Sequence, residues 1–208
     1  MIYTKNDINQ LDRIARLKII NSVTGIKPAN LIGTIADKGN TNLAVFSSIL
    51  HLGSKPALLG FVSRPLTKDA GHTCRNIQEN GYYTINHIHP EFAKNAHYTS
   101  AKFNQDMSEF KHCNLSEEYI NGFKAPFVKE STFKMGLRFK EALDIKLNGT
   151  VLFIGEIEII ILPNNAFLAG EIDLEATNGV GISGLNSYYS LKKIASYPFV
   201  RLNEIPEF

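Results

Sequence analysis

Between residues 42 and 76 the chain gathers side chains that suit binding of a flat, phosphorylated ligand better than attack on a substrate. Asn42, Ala44, Phe46, Ser47 and Ser48 form a stretch of small and hydroxyl-bearing residues where a buried strand would carry bulky apolar ones. Small side chains let the backbone approach a ring, so that its N–H and C=O groups meet the ring's polar edge. Hydroxyls on Ser47, Ser48, Ser63, Thr67 and Thr73 suit a polyol or a phosphate. Arg64 offers a planar cationic fork to a phosphate dianion. A helix expected from residue 69 would add N–H donors and a positive dipole end, with Thr73 and Asn76 three apart on one face. The competing reading is that these are ordinary strand ends and turns, which are rich in Ser, Thr and Arg anyway.

Other motifs carry less. Gly179, Gly181 and Gly184 match the spacing GxGxxG. A dinucleotide fingerprint needs a buried strand before the first glycine and a helix in a βαβ unit after it. Residues 173–178 are too polar for such a strand, and a glycine-rich loop is expected instead. No phosphate loop of the GxxxxGK[ST] type and no GxSxG are present. His87 and His89 share a strand face but have no third ligand at a suitable spacing, so a surface or interface role is expected and no metal. Glu156 and Glu158 read as solvated charges on a strand face rather than an acid pair.

The elements that must position these residues can be read from periodicity and turn chemistry. Ile8, Leu11, Ile14, Ala15 and Ile19 predict a helix over 7–23, capped by Asn6 or Asp7 and ended by Gly25. Strands are expected at 29–36, 42–48, 57–63, 82–88 and 151–162, with turns at 37–40 and 53–56. Helices are expected at 69–80, stopped by Gly81, and at 91–102, with residues 103–130 irregular. Several short strands with a few helices predict a small, mainly β barrel with helical additions, in one domain spanning 1–208.

Composition bounds the function classes. Apolar residues make up 44% and charged residues 20% of 208, enough to build a core at this length. Lys plus Arg is 22 against 20 Asp plus Glu, with no basic run longer than Lys192 and Lys193, so no nucleic-acid partner is expected. The stretch 151–162 is too short and too charged to span a bilayer. No basic region followed by an apolar stretch opens the chain, and Cys74 and Cys113 lack CxxC spacing. Reduced thiols, no signal peptide and a cytoplasmic location are therefore expected.

The ordered set of segments carries a family resemblance. NTNLAVFSSILHLGSKPALLGFVSRP is followed by HTCRNIQENGYYTINHI. Within them stand an NLAxFS strand from Asn42 to Ser47, a strand from Ser54 through Pro56 to Phe61, a TxxNI helix core from Thr73 to Ile77, and a Gly-aromatic strand ending at Asn86. Asn80 stands before Gly81 where Thr is usual. Together with VTGIKPANLIGT, HYTSAKFNQDMSEF and APFVKES, the set resembles the flavin reductase-like family with the FMN-binding split-barrel fold, over about residues 20–190.

That resemblance implies noncovalent FMN near a homodimer interface, and an NAD(P)H-dependent flavin reductase or oxidoreductase in which NADH or NADPH passes hydride to flavin N5. The electrons would go to a small-molecule or protein acceptor. An electron-transfer or flavin-storage protein without direct NAD(P)H oxidation is the alternative. Carried over by position, Asn42, Ala44, Phe46 and Ser47 face the ring and ribityl chain. Ser48, Ser63, Arg64, Thr67, Thr73 and Asn76 fall to the phosphate end. His97, Thr99 and Lys102 approach the ring from the partner subunit, Lys102 as the positive charge near N1.

Overall fold

In the computed structural model, which describes residues 1–65 and 71–207, two short helices open the chain: α1 (Lys5–Gln10) and α2 (Arg13–Ser22). The single helix expected over 7–23 is therefore broken. Thr4, not Asn6 or Asp7, caps α1, in a capping box with Asp7. Asp12 then accepts the N–H groups of Ile14 and Ala15 at 2.8 and 3.0 Å. An aspartate that captures these free donors starts a new helix, and that interrupts the old one.

The strands β1 (Lys27–Pro28), β2 (Asn30–Ile35), β3 (Thr41–Phe46), β4 (Leu50–Ser54) and β5 (Ala57–Ser63) follow. β4 replaces part of the expected turn at 53–56, leaving Lys55 and Pro56 to join an antiparallel hairpin. After α3 (His72–Asn80), Gly81 ends the helix as expected, at a φ of 74° that only a residue without Cβ adopts freely. Then come β6 (Tyr82–His87), α4 (Ala93–Tyr98), α5 (Glu109–His112), β7 (Glu117–Glu118) and β8 (Phe127–Val128). α4 follows a 3-10 turn at Pro90–Phe92 and is shorter than the helix expected over 91–102. α5 and the β7–β8 ladder give order to the region expected to be irregular.

The longest hairpin joins β9 (Lys134–Ile145) to β10 (Thr150–Ile161). β11 (Phe167–Leu168), β12 (Glu171–Ile172), β13 (Val180–Ser183) and β14 (Ser187–Ser190) complete the strands. The glycine-rich segment 179–184 is thus a strand and its turn, not a loop: β13 lies between β1 and β14.

Seven strands in the order β3-β2-β6-β9-β10-β5-β4 make an antiparallel sheet that curls into the expected split barrel. The barrel interior holds Ile32, Phe61, Tyr83, Ile85, Leu137 and Phe153, with α3 docked through Cys74 and Ile77. Leu31, Leu43, Phe92, Ala96 and Phe110 form a second core on the outer face, under α4 and α5. Burying these side chains stabilises the fold by about 1.5–3 kcal/mol each. β3 and β4 are the two sheet edges. Phe46 meets Phe61 across the split, with ring centroids 5.0 Å apart, and Ser48 stitches the β3–β4 connection to Val62.

Among the described residues no helix is long and apolar enough to cross a membrane. Cys74 and Cys113 are free and buried.

Candidate functional site

The open edge of β3 is the centre of the site. Asn42, Ala44 and Phe46 pair with Thr34, Ile32 and Asn30 of β2 and share the inner face. Leu43 directs its N–H away from β2, to the Glu109 carboxylate at 2.8 Å. Antiparallel pairs alternate between bonded and non-bonded, so Val45 also turns its N–H to the open edge. Ser47 and Ser48 continue past the strand, half-buried.

Glu109 is buried, and burial raises its pKa while the bond from Leu43 lowers it again. Thr41 adds to this anchor. Its hydroxyl lies 2.7 Å from that of Ser108 and donates to Glu117 at 2.5 Å. Neither Glu109 nor Val45 figured among the candidate residues. The contact spans 66 positions, and no local spacing announces it.

Around this edge the barrel presents polar groups from three segments that suit an anion. Ser48 Oγ donates to Val62 O at 2.8 Å and accepts Val62 N–H at 3.2 Å. Ser63 Oγ is buried, donates to Arg64 O at 3.1 Å, and lies beside the Cys74 thiol, which burial pushes up to about 11. Arg64 is exposed at the end of β5. α3 begins after Gly71 at φ 92°, with no side-chain cap on its first turn. Among the described residues no side chain caps its leading N–H groups, an arrangement that attracts negative charge.

Two predicted residues on α3 are engaged with the sheet. Asn42 Nδ2 donates to Thr73 Oγ1 at 3.0 Å, and Asn76 Nδ2 donates to Thr34 Oγ1 at 3.0 Å. All four side chains are buried and fasten α3 to β2 and β3. Asn76 Oδ1 is buried with no hydrogen-bond partner among the described residues. Thr67 lies outside the described residues.

The segment expected to reach the ring from a partner packs against β3 of its own chain. Ala96 of α4 shares a core with Leu43, and Val45 packs on that core. His97 Nδ1 lies 3.3 Å from Tyr188 Oη, Thr99 is buried with its hydroxyl on Ala96 O at 2.8 Å, and Lys102 is exposed.

Two side features differ in character. His89 is buried and His87 half-buried, so neither lies on the open surface. His87 stacks on Phe133 with centroids 4.2 Å apart, and burial lowers its pKa to about 4. His89 stacks on Phe92, and burial lowers its pKa too. Among the described residues no three His, Cys, Asp or Glu converge as a metal site. Glu156 pairs with Lys140 at 2.5 Å, and Glu158 is exposed, as solvated charges would be.

A cleft of about 680 Å³ lies elsewhere, lined by His89, Asn95, Glu130, Thr132 and Asn178 among others. None of the candidate residues lines it, and several of its polar groups bond to other protein groups. Asn95 donates to Cys113 O, Asn178 donates to Glu91, and Glu130 accepts Ser116 N–H. The β3 edge, where Val45 turns its N–H outward and Ser48 bonds Val62 two residues before Arg64, is the better site.

Residues 26–171 match the flavin reductase like domain, and the chain belongs to that family. It is similar, at 43% identity and a TM-score of 0.91, to a candidate flavin reductase with a split barrel domain from Shewanella frigidimarina, covering 96% of this chain and 100% of that one. The fold is also that of nitrilotriacetate monooxygenase component B from Bacillus cereus, at 17% identity, TM-score 0.83 and coverage of 95% and 98%. Flavoredoxin of Desulfovibrio vulgaris shares it at 21% identity, TM-score 0.72 and coverage of 84% and 92%. No curated protein matches the sequence.

Proposed function

We propose that the chain is an FMN-binding flavoprotein that works as an NAD(P)H-dependent flavin reductase or oxidoreductase, as a single-domain homodimer in the cytoplasm. One observation carries the reading: Ser48, just past the open β3 edge, bonds Val62 two residues before exposed Arg64, and Asn42 of β3 bonds Thr73 in the first turn of α3, which has no side-chain cap among the described residues. A planar ring with polar edges and a phosphate tail needs such a pairing of backbone donors with an anion site.

The residues present fit that group. Val45 N–H and the small side chain of Ala44 suit the ring. Ser48 and Ser63 suit the polyol, and Arg64 with the α3 N–H groups suits the phosphate. Bound flavin would supply the hydride-accepting N5, which accounts for a site without a catalytic triad. Exposed Lys102 would stabilise negative charge near N1. Two buried, free thiols agree with a reducing compartment.

The test starts with the absorbance spectrum of the purified protein, before and after FMN is added. Flavin bands that persist through gel filtration support the reading, and a protein that stays colourless overturns it. Stopped-flow mixing of the oxidised holoprotein with NADH and with NADPH then separates a reductase from an electron-transfer protein. Bleaching within seconds marks the reductase.

A further inference from the structure

Asn30 opens β2 and is 1% exposed. Both ends of its amide, Nδ2 and Oδ1, are shut off from solvent and have no hydrogen-bond partner among the described residues. The other buried asparagines are engaged. Asn86 donates to Leu31 O and Thr84 Oγ1 and accepts the Val128 N–H. Asn42 and Asn76 each donate to a threonine. A buried amide has given up its bonds to water, so one with neither end met is costly to keep. In a core that is otherwise satisfied, such an exception marks a functional position.

The surroundings of Asn30 define what meets it. Asn30 shares the inner face with Ile32 and Thr34, and its cross-strand neighbours there are Phe46 of β3 and His87 of β6. Ala44, opposite Ile32, stands diagonally from it. Ala44, Phe46 and His87 are half-buried, so the closed amide lies just inside a partly open corner. His87 is held by its stack on Phe133. Phe46 is less constrained, because β3 ends with it and only β2 pairs with that strand. Its ring rests edge-on against Phe61.

We propose that Asn30 reads the imide edge of the flavin ring: Phe46 turns aside, Asn30 Nδ2 donates to a ring carbonyl, and Asn30 Oδ1 accepts the neighbouring N3–H. The inference rests on the FMN reading and names the residue that recognises the ring's edge. A carboxamide carries a donor and an acceptor side by side, and the imide edge offers the complement of both. A phosphate has acceptors only and leaves Oδ1 unmet, so Asn30 belongs to the ring end of the site. The small side chain of Ala44 leaves room for a ring on the same face.

Fluorescence titration of the apoprotein with FMN and with N3-methyl FMN tests this, in the wild type and in Asn30→Leu, which keeps the volume and drops the amide. Loss of the amide contact should weaken binding by about tenfold or more. The wild type should therefore bind N3-methyl FMN that much more weakly than FMN. Asn30→Leu should lose the same affinity for FMN and no longer tell the two flavins apart. A loss through structure alone would leave that discrimination intact. A variant that binds FMN like the wild type, or that still discriminates fully, overturns the role of Asn30 and leaves flavin binding standing. A wild type that binds neither flavin overturns both readings. Should Asn30→Leu misfold, the side-chain amide signal of Asn30 is followed by NMR in labelled wild-type protein. A signal displaced by FMN and less so by N3-methyl FMN supports the contact. A signal that stays in place with FMN bound overturns it.

Discussion

Glu109 reaches across from α5 to take the backbone N–H of Leu43 at 2.8 Å, on the open edge of β3. A carboxylate buried against a sheet edge costs desolvation, so the bond it accepts must offset that cost. It also blunts the strand at Leu43 and leaves Val45 as the next outward donor.

Glu109→Ala orphans a buried N–H and is expected to lower stability by about 1–3 kcal/mol. Glu109→Gln keeps an acceptor and removes the buried charge, so its cost should be smaller. FMN affinity should fall in the alanine variant and hold in the glutamine variant. Urea unfolding and fluorescence titration of the apoprotein with FMN measure the two effects. Equal stability of both variants would show that the strand edge does not depend on this bond.

Arg64 is exposed, so its removal should leave stability unchanged while weakening FMN retention. A charge-assisted bond is worth about 1.5–3 kcal/mol, which predicts at least a tenfold rise in the FMN dissociation constant for Arg64→Ala. Arg64→Lys restores the charge without the fork and should recover only part of the affinity. An unchanged dissociation constant in the alanine variant moves the phosphate end elsewhere.

His87 makes stability depend on pH. Burial lowers its folded pKa to about 4 from an ordinary value of 6.5. Between those values the unfolded chain binds a proton that the folded chain refuses, so stability rises with pH across this window. The contribution is complete above about pH 6.5 and is lost as pH falls through 4, by up to about 3 kcal/mol. His89, whose pKa is also lowered, acts in the same direction. His87→Gln should flatten the pH dependence of the urea midpoint between pH 4 and 6.5. A curve that keeps its slope assigns the effect to another group.

Strands bounded by turn chemistry were legible in the sequence: β2, β5, β6 and β10 lie within two residues of their expected ends. β4 was not, because an edge strand with exposed Leu50, His51 and Leu52 lacks the alternation that burial imposes. The outer half of β9 is exposed on both faces and hides in the same way. The polar character of the site was visible in Asn42, Thr73 and Asn76, since buried polar residues stand out by type. Their partners were not visible, because Asn42 meets Thr73 31 positions away and Asn76 meets Thr34 42 positions away. Residue type announces that a polar group needs a partner. The fold decides which one it gets, and the Leu43–Glu109 contact is invisible for the same reason.

Tyr83 and Gly155 give the most stringent test of the barrel interior. Tyr83 is fully buried and its hydroxyl has no hydrogen-bond partner among the described residues. The phenol fills the space that a Cβ at position 155 would need, with the hydroxyl nearest and ring carbons at 2.8 and 2.9 Å. Gly155→Ala therefore forces the ring out of place and should cost about 1–3 kcal/mol. Tyr83→Phe removes an unsatisfied hydroxyl and should be neutral or stabilising. The ring carbons still crowd position 155, so Tyr83→Phe should relieve Gly155→Ala only in part. A double-mutant cycle by urea unfolding reads this as a coupling smaller than the full cost of Gly155→Ala. Strict additivity would mean that the hydroxyl does not limit position 155. Complete relief would mean that the hydroxyl alone does, with the ring free to shift inside the barrel.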